Sequence, residues 1–444
     1  MNDPVPLSYG QLSVWRDVRH LERHRWHEAN VRTVWIPPED GAGVTVAEVE
    51  DAVRGLAARH ESLRTVYDLS DPFAPTQRVL PALDGVASDV VECTADTFEE
   101  AAAALAAEPF DLTAAPAWRF RVATEHGRPR AVVVVKHHIV ADGWSIGILA
   151  AEFQAALERG KPVDGPPPPT PRELALWQHA AGRGARRAAL TGYWERIFGL
   201  SAAQLGAAGG GPQDDSGPQN GDRTGDEAGA RPGGPRGGSA PGEAHQYTVR
   251  SREAHAAARR LAEELSVPLS SVVLAAFART VALAAGPGDL VGQLMSSNRF
   301  VPPWNSVVSS MNQWATASFD TGPEEFGPYA GHVHTRSLTA FRYGMYDVDE
   351  VDALRDSVRR GRDPHQATFA FNFLPGEAPP PCADHESGPV REVPFSRIGH
   401  PCYLRVTNAG EQSLELRLRT MGLSDALTLD LLRGTVARLA GSAI

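Results

Sequence analysis

The chain has 444 residues, enough for two ordinary domains, and 42% of them are hydrophobic, so each domain can bury a full core. With 54 acidic against 43 basic residues, the formal charge of −11 provides no overall basic face for nucleic acid or anionic lipid. The three cysteines, Cys93, Cys382 and Cys402, stand far apart without zinc-site spacing; together with an N-terminus lacking an apolar targeting stretch, and no run of ~20 apolar residues anywhere, they point to a cytoplasmic protein with no membrane span and no metal.

In chain order, VTVAEVEDAVRGLAARH at 44–60 has apolar residues at helical spacing. AVVVVK at 131–136 is a β-branched run, as in a buried strand, and WSIGILAAEFQAALERG after Gly143 favours a helix. KPVDGPPPPTPRE at 161–173 is a proline-rich crossover. Residues 201–243 carry almost no large apolar or aromatic side chains, so a disordered insertion is expected there. Beyond it, REAHAAARRLAEELSV and PLSSVVLAAFARTVALAAG read as helices, DLVGQLMSS, ATFAFNFLP and LELRLRT as strands, and DALTLDLLRGTVARLAG as a last helix. The pattern gives a mixed α/β fold in two lobes, 1–175 and 176–444.

Chemistry concentrates in KHHIVADGWS, at the exit of the β-branched strand. In an alternating strand His137 and His138 face opposite ways, so one can meet a cleft while the other packs inside. A histidine near its ordinary pKa of about 6.5 can take a proton from an attacking amine or hydroxyl. Asp142 either orients an imidazole or is a buried carboxylate needing a cationic partner. Gly143 permits a tight turn and close approach of a substrate. Trp144 is expected to pack between loop and helix. Ser145 lacks the Gly-x-Ser-x-Gly elbow of a serine nucleophile, and adjacent histidines point apart, which disfavours a metal site.

These residues meet the His-His-x-x-x-Asp-Gly hallmark of the condensation-domain family of nonribosomal peptide synthesis, which the sequence closely resembles. LSYGQLSVW at 7–15, RHESLRTVY at 59–67, EPFDLTAAPAWRF at 108–120, ELALWQHA at 173–180 and YWERIF at 193–198 resemble further family motifs in the family's order. Two segments depart from it: GQLMSSNRF at 292–300 stands where a Gly-Arg pair is usual, and SSMNQWAT at 309–316 where a Phe-Val-Asn-Thr-like run is usual.

The resemblance implies two chloramphenicol-acetyltransferase-like lobes in a V with a central tunnel. It implies His138 as the catalytic residue, His137 as a brace of the loop, and a structural Asp142–Arg299 ion pair beside Gly143, with Arg64 also structural. Asn372, Trp314 and Ser145 are candidates for the tunnel wall, and Trp314 suggests a reshaped acceptor channel. The expected function is that of a free-standing condensation enzyme in specialised metabolism, since GGS at 237–239 lies in low-complexity sequence and no carrier serine is identified. It would bind no cofactor of its own. An acyl or peptidyl carrier protein in trans would present a phosphopantetheine thioester, and a small-molecule amine or alcohol would accept the acyl group. The alternatives are an O-acyltransferase using coenzyme A or a polyketide carrier, and a non-catalytic recruitment platform.

Overall fold

A computed structural model of the protein describes residues 3–38, 43–81, 88–180, 184–205, 244–319, 323–358, 367–374, 389–393, 400–409 and 412–441. The chain divides into two units: Met1–Arg187 with Ser297–Gln313 and Met345–Asp349, and Ala188–Ser296 with Trp314–Gly344 and Glu350–Ile444. The first unit thus runs past the expected boundary at residue 175 and takes back two later segments. Each returning segment brings a partner for a buried charge. Ser297–Gln313 carries Arg299 to Asp142, and Met345–Asp349 carries the carboxylate that receives Arg16 bidentately at 2.7 and 2.6 Å.

The first unit contains β1 (Val5–Pro6), α1 (Tyr9–Val18), β2 (Asn30–Trp35), α2 (Val46–Arg59), β3 (Thr65–Asp68), β4 (Thr76–Val79), β5 (Ser88–Glu92), α3 (Ala95–Ala107), β6 (Trp118–Glu125), β7 (Arg128–His137), α4 (Gly143–Arg159) and α5 (Pro171–His179). Four strands form a sheet in the order β2-β7-β6-β5, and β1-β4-β3 form a small second sheet. The apolar run in β7 reflects burial of both faces. Val132 and Val134 join the core with Trp35, Val53, Leu56, Phe120 and Phe153, while Val133 and Val135 pack on Ala102 and Leu105 of α3. Arg64 pins the end of α2 by donating to the carbonyls of Ala57 at 3.0 Å and Leu80 at 2.7 Å, a structural role.

Helix α4 starts where Asp142 accepts the Ser145 N–H, and it ends at Gly160, whose φ of 62° suits a residue without a side chain. Past the proline run, Thr170 and Glu173 form a capping box and Pro171 opens α5.

The chain continues through α6 (Gly184–Gly199), β8 (Ala244–Ser251), α7 (Arg252–Leu265), α8 (Leu269–Ala284), β9 (Leu290–Ser296), β10 (Gln313–Phe319), α9 (Phe326–Arg342), α10 (Val348–Val358), β11 (Phe369–Leu374), β12 (Arg391–Glu392), β13 (Cys402–Ala409), β14 (Ser413–Met421) and α11 (Asp425–Leu439). A seven-stranded mixed sheet has the order β10-β9-β11-β13-β14-β8-β12. Pairing is parallel across β9, β11 and β13 and antiparallel from β13 to β12. Helix α8 is apolar nearly all round because it is buried from Ser271 to Ala278 and at Thr280 and Val281, packed on α7, α9 and α11. No single helix among the described residues is long and apolar enough to cross a membrane. The first residues of the expected insertion are tied down: the Asp289 carboxylate accepts the Ser201 N–H at 2.9 Å, and Ala202 bridges to Asp289. Residues 206–243 lie outside the described residues.

In the first unit, α1 meets the segment 309–311 backbone to backbone at Gly10. A Cβ there would stand 2.7 Å from Met311 Cα, closer than real side-chain carbons come. Gly10→Ala is therefore expected to lower stability by roughly 1–3 kcal/mol, the usual cost of overpacking, read as an earlier midpoint in urea with an unchanged slope.

Candidate functional site

Strand β7 delivers the two histidines into unequal surroundings. The His137 side chain is fully buried; the backbone N–H of His137 donates to Ala117 O and the backbone N–H of His138 to Ala29 O, each at 2.8 Å. The Ile139 N–H donates to His137 Nδ1 at 3.2 Å, which places the His137 proton on Nε2. Burial, reinforced by the neighbouring His138 and Lys136, pushes the His137 pKa down to about 3, so it is a neutral structural imidazole. His138 is half-buried. Its pKa is lowered by burial and by the Lys136 charge, against an opposing pull from Asp142, and Ser310 Oγ stands 3.4 Å from its Nδ1.

Lys136 extends the Val132–Val134 face into the core and is 2% exposed, with its ammonium donating to Ala141 O in the turn below His138. Burial brings its pKa down to about 8, opposed by Asp142. Sequence reading took this lysine only as the end of an apolar strand. A charge at an alternating core position was the available signal.

Asp142 is 1% exposed and fully occupied by donors. Arg299 Nη2 reaches its two oxygens at 2.8 and 3.0 Å, the Ser145 N–H and Oγ donate to Oδ1 at 2.9 and 2.8 Å, and the Met311 N–H donates to Oδ2 at 3.0 Å. Burial by itself would raise the carboxyl pKa. Arg299 and these donors outweigh it and hold the group below the ordinary carboxylate range. Arg299 also donates to the carbonyls of Val307 at 2.7 Å and Ser309 at 3.2 Å. The structure thus brings Asp142 and Arg299 together as a buried clamp.

Three expectations change. Ser145 is fully buried inside the clamp, where its hydroxyl meets Asp142, Arg299 and the backbone of Ser309, so it is a structural residue and does not line a tunnel. Trp144 is 52% exposed with its indole N–H on Asn305 O at 3.1 Å, because it sits on the outward side of the first turn of α4. Gly143 opens α4 without a positive φ, so no turn requires glycine there. A Cβ at this position would meet nothing within 4 Å, which leaves open space beside the loop.

Asn372 and Trp314 belong to the other unit and share one neighbour that sequence reading missed, Tyr403. Asn372 Nδ2 donates to Tyr403 Oη at 3.3 Å, and the Trp314 ring meets the Tyr403 ring edge-on at 5.9 Å. Among the described residues no cluster of His, Cys, Asp or Glu could hold a metal ion.

The Condensation domain family profile matches residues 41–308, more than half of the chain. Phosphinothricin tripeptide synthetase PhsC of Streptomyces viridochromogenes is 34% identical over 207 residues, covering 44% of this chain and 18% of that protein. The chain therefore spans under a fifth of that relative's length. A condensation-domain structure from the enacyloxin polyketide synthase, reported for chain release, superposes with a TM-score of 0.73 at 20% identity, covering 99% of this chain and 83% of the other. The SgcC5 protein of Streptomyces globisporus, in complex with a naphthyl ethanediol and sucrose, gives a TM-score of 0.68 at 16% identity, covering 99% and 98%. These likenesses show the expected mixed α/β fold of chloramphenicol-acetyltransferase type.

Breaking the clamp by Asp142→Ala or Arg299→Ala strands a buried charge, so each is expected to cost roughly 3–5 kcal/mol. The double variant should cost clearly less than the sum of the two. A denaturation cycle over the four proteins measures this coupling.

Proposed function

Because the chain belongs to the condensation-domain family, whose members transfer acyl groups carried on phosphopantetheine, we propose that it joins a carrier-bound acyl or aminoacyl thioester to an amine or alcohol, with His138 as the base. One observation supports this above the others. Of the three ionisable side chains in the hallmark, His137 and Asp142 are buried with their chemistry committed to the fold, and only His138 is open to a reactant.

In this reading the acceptor nitrogen or oxygen attacks the thioester carbonyl while His138 Nε2 takes its proton. The N–H groups of Gly143 and Trp144, at the first turn of α4, supply donors for the resulting oxyanion. Collapse of the intermediate breaks the carbon–sulfur bond, and the imidazolium returns the proton to the departing thiolate. Atoms and charge balance without a further reactant. A second reading, O-acylation from a polyketide carrier or coenzyme A, draws support from the two structural neighbours, one concerned with polyketide chain release and one holding a diol.

The test offers acyl-loaded carrier proteins and acyl-coenzyme A to the full chain with amine and alcohol acceptors. His138→Ala should lose on the order of 10²-fold or more in turnover with the carrier donor. The base must be neutral to work and its pKa lies below the ordinary value, so kcat/KM should stay level as pH falls through about 6.5 and decline only below it. Full activity of a folded His138→Ala protein refutes His138 as the base. Failure of the wild type with every donor favours a recruitment platform.

A further inference from the structure

Resting on the reading of His138 as the base, we propose that Ser310, held by Asn312, is a positioning residue that fixes the His138 proton on Nδ1 and so leaves Nε2 free to accept the acceptor's proton. Ser310 Oγ lies 3.4 Å from His138 Nδ1 and donates to Asn312 Oδ1 at 3.3 Å. A serine hydroxyl has a single proton to give. With that proton on the amide oxygen, Oγ can only accept from the imidazole, and the ring is left with Nδ1–H and an Nε2 lone pair. The reverse arrangement, Oγ donating to Nδ1, would put the ring proton on Nε2 and remove the base.

The site is built to hold Ser310 there. Its side chain is fully buried, and both flanking residues are fastened to the ion-pair clamp: the Ser309 N–H to Ser145 Oγ at 3.1 Å, Ser309 O to Arg299 at 3.2 Å, and the Met311 N–H to Asp142 Oδ2 at 3.0 Å. Gly10 closes the segment from the other side, since any side chain there would strike Ser310 and Met311. The charged and titratable groups facing the imidazole are Lys136, His137 and Asp142, with Arg299 behind Asp142. None of these groups hydrogen-bonds Nδ1; besides Ser310 Oγ, the imidazole's hydrogen-bond partner is the backbone carbonyl of His138 itself, an acceptor that favours the same Nδ1–H form.

The relay is tested on the resting protein, without substrate, by ring-nitrogen chemical shifts of the full chain labelled with ¹⁵N-histidine, with the His138 signals assigned from His138→Gln. The wild type is expected to show a protonated Nδ1 and an unprotonated Nε2 at neutral pH. Ser310→Ala should shift the population toward Nε2–H, and Ser310→Thr, which keeps the hydroxyl, should restore the Nδ1–H form. In the acyl-transfer assay Ser310→Ala is expected to lower kcat on the order of tenfold, as one lost hydrogen bond in the transition state would, with KM unchanged. A wild-type His138 carrying its proton on Nε2, or a Ser310→Ala protein with unaltered ring shifts, overturns the relay. The ring shifts report on the relay whatever the activity of His138→Ala, so a failure of the base assignment is read separately.

Discussion

The Asp142–Arg299 ion pair is the interaction on which the site's geometry depends. Two charges removed from water are tolerable only when nearly every lone pair and N–H around them is used. Here the carboxylate receives five hydrogen bonds, from Arg299, Ser145 and Met311, and Arg299 holds the carbonyls of Val307 and Ser309. Asp142 is at once the cap of α4 and the anchor of a segment more than 150 residues away. The discontinuity of the first unit follows from this, because residues 297–313 are needed to neutralise and satisfy the buried end of the histidine loop.

Burial then divides labour among groups that sequence alone makes look equivalent. Lys136, His137 and Asp142 are all sequestered: the Lys136 ammonium and His137 Nδ1 meet the loop backbone and the Asp142 carboxylate meets the clamp, while His137 Nε2 is buried without a hydrogen-bond partner. They convert a turn of five residues, His138 to Asp142, into a rigid support. His138 is left as the ionisable group with an exposed portion. Its neighbours lower its proton affinity through desolvation and through the Lys136 charge, so the imidazole stays neutral where a solvated one would begin to protonate.

Much of this was legible in the sequence, because the signals were local. The four valines of β7 mark a strand buried on both faces, and strand alternation separates His137 from His138. Arg299 was legible only through the family pattern, since nothing local in SSNRF announces a partner for Asp142. Tyr403 was not legible at all, and Ser310 only as a member of the departing segment SSMNQWAT, with nothing to name its partner. Each makes its contact over a long sequence separation, His138 to Ser310 and Trp314 to Tyr403. Ser145 was named through the family pattern alone, whereas Trp144 was misplaced for a local reason. Helical phase at the start of α4 was known only to within a residue or two, and that decides which side chain turns into the clamp and which turns out.

In the proposed reaction the low proton affinity of His138 constrains the chemistry it can support. A weak base cannot strip an alcohol or an ammonium group in advance. It can take a proton only as the new bond to the carbonyl carbon forms and the attacking atom becomes acidic. Proton transfer is then tied to bond formation, and the rate depends on how closely the imidazole is aimed at the attacking atom. The proposed donation from Nδ1–H to Ser310 helps on both counts, since it fixes the ring plane and returns some electron density to Nε2 that burial and Lys136 withhold. Rigid support beneath the loop is therefore a requirement of the proposed catalysis, and the Asp142–Arg299 ion pair supplies it from both flanks of Ser310.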